Sequence, residues 1–139
     1  MWRNCWILFA ALLGAGLFSS CGSQVKANTR IAYDYRPGKT AVLRGGKAYA
    51  PPGAPIEVKR AIAAANSIVG MPYKWGGGHA VLNDTGYDCS GAASYVLRNA
   101  GLMQGQMPSR GFLNYGERGQ GKWITVYARN GHVFLTIAG

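Results

Sequence analysis

The chain has 139 residues, 48% of them hydrophobic, with 15 Lys+Arg against 5 Asp+Glu and a formal charge of +10. The length suits one domain, the apolar content is that of a globular protein, and the 21 glycines imply many loops. Cysteine and histidine nowhere cluster at metal-ligand spacing, which excludes a Cys/His metal centre, while the cationic surplus suggests an anionic partner without choosing among nucleic acid, a phospholipid surface and an anionic polymer.

The N-terminus reads MWRNCWILFAALLGAGLFSSC. One cation, Arg3, precedes an apolar run from Trp6 to Phe18. That run falls short of the roughly 20 residues a bilayer span needs and fits the apolar core of an export signal. Small residues before Cys21 resemble the lipobox of bacterial lipoproteins. That resemblance implies that residues 1–20 are a signal peptide and that Cys21 is the acylated first residue of the mature chain. The protein is then exported and held on a bacterial membrane, on the outer membrane where the cell has one. Cys5 departs with the signal and Cys21 is acylated, so Cys89 has no intramolecular partner in an oxidising compartment.

Residues 21–54 read as a basic tether. From Gly22 to Ala54 there are six Lys/Arg against one Asp, with Pro37, Pro51, Pro52 and Gly45-Gly46. A solvated flexible linker is expected, although short alternating pieces such as RIAYDY can pair as strands. Pro55 to Val69 is the clearest helix: Pro55 suits the first turn, Glu57 suits the positive end, and Val58, Ile62, Ala65 and Val69 share one face. A glycine-rich loop, MPYKWGGGHAVLNDTGYDCSG, leads to a second helix over Ser90–Asn99, with Asp88 or Ser90 as N-cap and Ala92, Ala93, Val96 and Leu97 on its apolar face. Within the connection 102–122, PSRGFLNYG predicts one short turn capped by Ser109. KWITVY and HVFLTIA then alternate as strands joined through Asn130-Gly131, a strong hairpin signal.

Cys89 carries the chemical question. The start of a helix presents unpaired N–H groups that favour a thiolate. By position alone, Cys89 suits a buried structural cysteine as well as it suits a nucleophile. A nucleophile needs a base. His132 opens the second hairpin strand, which can pack on the Cys89 helix. His79 sits in the glycine loop and reads as exposed or loop-bracing.

PYKWGGG, DCSGAASYVLRNAG and NGHVFLTIAG, in that order, resemble the NlpC/P60 cysteine peptidases of bacterial cell walls. The similarity runs from about Pro55 to Gly139. It implies a papain-like α+β fold, helices on an antiparallel sheet, and hydrolysis of amide bonds in peptidoglycan stem peptides through a thioester. It implies Cys89 as nucleophile and His132 as general base, with Tyr73 at the rim of the site. Asp88 and Ser90 are then expected to bind the free amino end of the stem peptide, a role compatible with simple helix capping. Tyr73 and Trp75 also suit plain packing against the cleft wall. No metal or organic cofactor is needed.

Family members orient the catalytic imidazole with a third polar residue on the next strand. Here Gly139 follows His132 by only seven residues, so that residue has no assignable position. A shortened domain with an incomplete sheet is expected, since an isolated hairpin is marginal. A catalytically impaired peptidoglycan-binding lipoprotein is therefore the alternative. An acyltransferase on the same scaffold remains open, and the export segment argues against a nucleic-acid partner.

Overall fold

The computed structural model describes residues 35–139. The signal segment 1–20, the lipidation candidate Cys21 and residues 30–34 of the RIAYDY piece lie outside the described residues. Within them the chain is mixed α+β, with two helices and two separate antiparallel hairpins. In chain order these are β1 (Val42–Arg44), β2 (Lys47–Tyr49), α1 (Ile56–Ser67), α2 (Cys89–Asn99), a single 3-10 turn at Gly111–Asn114, β3 (Ile124–Arg129) and β4 (His132–Ile137). Among the described residues no helix is long and apolar enough to cross a membrane.

The described part of the expected tether is folded. β1 and β2 turn through Gly45 and Gly46, whose φ angles of 56° and 75° suit the two central positions of a tight hairpin turn. The Asn66 amide on α1 accepts from Ala48 N at 2.9 Å and donates to Ala48 O at 2.7 Å. Ala41 and Ala54 are buried with Val58, Ile62 and Ala138 in one apolar cluster. Charge and proline content suggested a linker; small apolar residues at 41, 48 and 54 instead let the hairpin lie close against α1.

α1 starts one residue later than a first-turn Pro55 would place it, with Pro55 at the N-cap. Its buried face is Val58, Ala61, Ile62 and Ala64, while Val69 lies past the helix end and is exposed. α2 buries Ala93, Val96 and Leu97. Leu97 and Ala93 pack with Met103, Phe112 and Val133, so this cluster joins α2, the 3-10 turn and β4. Burying Leu97 alone is worth about 2 kcal/mol. The 3-10 turn has Arg110, not Ser109, at its N-cap and no side-chain cap bond. β3 and β4 pair from Ile124↔Ile137 to Arg129↔His132 around Asn130-Gly131. Their alternation turns Val133 into the core, while Tyr127 and Phe134 stack on the outer face with centroids 4.8 Å apart.

Candidate active site

The glycine loop is closed at its neck. Tyr87 N donates to Pro72 O at 3.1 Å and Lys74 N to Tyr87 O at 3.2 Å. Asp84 braces the interior: one oxygen meets Lys74 Nζ at 2.6 Å and Thr85 N at 2.7 Å, the other accepts from Gly78 N at 3.2 Å. The Lys74 bond and then the two backbone N–H groups hold the Asp84 carboxyl at about 2, below its ordinary 3.8. Loop and helix meet backbone to backbone, because a Cβ on Gly91 would land on the carbonyl oxygen of Gly77. The loop can rest on the first turn of α2 only because position 91 is glycine, while glycine at 77 lets the two sides of the loop approach at Gly86.

Asp88 is the N-cap of α2. Its Oδ1 accepts from Gly91 N at 2.7 Å and Ser90 Oγ at 2.9 Å and lies 3.1 Å from His79 Nε2, and its Oδ2 accepts from Gly76 N at 3.0 Å. Burial opposes the charged form; the Gly91 N–H, the Ser90 hydroxyl and His79 outweigh it and hold the carboxyl below its usual range. His79 Nε2 is also 3.1 Å from Ser90 Oγ. One nitrogen thus meets both Asp88 and Ser90, which rules out a serine relay, where carboxylate and hydroxyl take opposite ring nitrogens.

Cys89 is the first residue of α2, partly buried against the cluster of Leu97 and Val133. His132 is the first residue of β4 and is exposed. Both border one cavity of about 460 Å³, together with Tyr73, Asp88, Ala92 and Phe134. Strand alternation sets His132 on the sheet face of Phe134, with ring centroids 6.3 Å apart, opposite the core-facing Val133. Among the described residues, the His132 ring and Cys89 Sγ make no hydrogen bond to each other. Tyr73 is 67% exposed at the rim. Trp75 is 89% exposed, so it is not a packing residue; the tight turn at Gly76–Gly78 carries it outward.

Structure therefore gathers Cys89, His132, Tyr73 and Asp88 around one cavity and puts Ser90 behind Asp88. His79 is the loop-bracing residue of the two expectations, although the sequence did not indicate which groups it braces. Its ring bonds the Asp88–Ser90 pair and its carbonyl accepts from Gln106 Nε2. Only the adjacency of His79 to the GGG run hinted at this. Among the described residues no group of His, Cys, Asp and Glu could hold a metal ion. No family model, curated protein or solved structure matches the chain.

Proposed function

We propose that the chain is a cell-wall cysteine peptidase of papain-like, NlpC/P60-type architecture that hydrolyses amide bonds in peptidoglycan stem peptides. The observation that carries this reading is the cavity shared by Cys89, at the start of α2, and His132, at the start of β4. His132 takes the thiol proton and the thiolate attacks the substrate carbonyl. Asp88 already occupies the Gly91 N–H, so the Cys89 and Ser90 N–H groups at the helix start are the donors for the oxyanion. The imidazolium then protonates the leaving amine, and water hydrolyses the thioester. Acylation at Cys21 keeps the enzyme on the membrane beneath its polymeric substrate, and the basic surface adds attraction to anionic head groups.

A catalytically impaired peptidoglycan-binding lipoprotein is the second reading. The placement of His132 on the outer sheet face, without a bond to Cys89, favours it, although catalytic hydrogen bonds often tighten only on substrate. One comparison separates the two. Wild type that cleaves purified muropeptides and loses this on thiol alkylation or in Cys89→Ala is the peptidase. Muropeptides bound but left intact by both proteins make it the binder.

A further inference from the structure

β3 pairs with β4 on one side only. Ala138 N donates to Trp123 O at 2.7 Å, which carries the β3–β4 ladder one step past Ile124↔Ile137. Alternation then turns the N–H and C=O of Thr125, Tyr127 and Arg129 toward β4, and those of Ile124, Val126 and Ala128 away from it. The Ile124 carbonyl is covered, since Gly121 lies so close that a Cβ there would overlap it. Val126 and Ala128 have no such cover: among the described residues nothing hydrogen-bonds their main-chain groups. Two donors and two acceptors therefore face outward in a row.

These groups border open space. A cavity of about 400 Å³ lies between Val126 and the segment 115–122, with Leu97 and Leu102 also on its wall. A second, of about 300 Å³, is lined by Val126, Ala128 and Arg118. Val126 and Arg118 border both, so the two run together along the β3 edge. Neither shares a lining residue with the Cys89 cavity. Arg118 and Lys122 stand on the loop side and are exposed, and Glu117 is the one acidic residue there.

We propose that this groove binds an extended acidic polypeptide segment, which adds to β3 as a third strand and sets its carboxylates against Arg118 and Lys122. An unpaired edge offers main-chain bonds to any chain, and flanking side chains choose among chains. Nucleic acid or an anionic glycan satisfies the two cations but brings no alternating N–H and C=O groups at strand spacing. A second copy of this chain, with its formal charge of +10, meets Arg118 and Lys122 with their own duplicates. An acidic peptide supplies both the backbone and the charge.

The test is fluorescence anisotropy of fluorescein-labelled Glu-Val-Glu-Val-Glu titrated with the full chain. Beside it run Lys-Val-Lys-Val-Lys and two N-methylated forms of the acidic peptide, one methylated on the valines and one on the glutamates. The acidic peptide binds and the basic one does not. One methylated form binds like the parent and the other not at all, because only alternate N–H groups of an added strand reach β3. Joint Arg118→Glu and Lys122→Glu changes weaken binding about tenfold or more, the scale of two exposed ion pairs. Ala128→Pro also weakens it, by removing an outward donor that the β3–β4 ladder does not use. Alkylation of Cys89 leaves it unchanged. Melting curves verify that the variants are folded. No binding of the acidic peptide at about 1 mM protein, equal binding of both charges, or binding of both methylated forms or of neither overturns the proposal. So does full binding by the folded Arg118/Lys122 variant, or loss of binding on Cys89 alkylation. A wild-type dimer in sedimentation that Ala128→Pro splits puts a second copy on β3 and overturns it too.

Discussion

Asp88 holds the helix start, the loop turn and the cluster together, so Asp88→Ala is the most informative stability perturbation. Losing the N-cap acceptor costs about 1 kcal/mol. Ser90 is 5% exposed, and losing the carboxylate leaves its hydroxyl with the His79 ring alone, which adds about 1–2 kcal/mol. The Gly76 N–H and the His79 ring reach water and add little. The expected loss is about 2–3 kcal/mol, or roughly 10–15 °C in Tm for a domain of this size. Folding holds the Asp88 carboxyl below its ordinary range. Its charge contribution is thus complete above the unfolded-state value of about 3.9 and is lost as pH falls through the lower folded-state value. The Tm gap between wild type and Asp88→Ala therefore narrows as the pH is lowered from roughly 5 to 2. Thermal melts by circular dichroism across that range measure both. A loss under about 0.5 kcal/mol, the usual size of a neutral surface change, or a gap indifferent to pH, refutes this account of the helix start.

Gly91→Ala forces a Cβ onto the Gly77 carbonyl, and because backbone cannot step aside as a side chain can, urea unfolding should reveal a loss of about 3 kcal/mol or more. The same change at Gly53, where the added carbon meets nothing, should stay within about 0.5 kcal/mol of wild type. Lys74→Met removes the largest influence on Asp84, so carbon-detected NMR should find that carboxyl titrating clearly above about 2; an unmoved titration would mean that the backbone N–H groups alone hold it. His132→Ala, at an exposed position, should leave the melt within about 0.5 kcal/mol and lower muropeptide cleavage by roughly 10²–10⁴-fold; full activity would remove His132 from the proposed mechanism.

The local signals were the legible ones. Asp-Cys-Ser-Gly opening an apolar-faced segment marked α2 and its cap, because an N-cap needs only residues within one turn of it. β3 and β4 were legible from their alternation and from Asn130-Gly131. The hairpin of residues 42–49 was obscured by its charges, since Arg44 and Lys47 are exposed and it is fixed by the packing of small residues, Ala41, Ala48, Ala50 and Ala54, and by the Asn66 amide. Val69 sits in helical phase with Val58 and Ile62, yet α1 ends at Ser67 and phase alone does not carry past a helix end. His79 was illegible for a different reason. Its partners lie 9 and 11 residues away across a loop, and that loop's path depends on which backbone can approach the Gly91 position.

The Asn66 amide does for β2 what a neighbouring strand would do. With Leu43 paired to Ala48, the N–H and C=O of Ala48 turn away from β1, and both end on one side chain of α1. A three-residue strand has a single such outward pair, so one amide seals the edge completely. An unsealed edge is a template for the strand of a second molecule, a hazard that grows where many copies are crowded on one surface. The helix thus covers the β2 edge of this hairpin with one asparagine rather than a third strand.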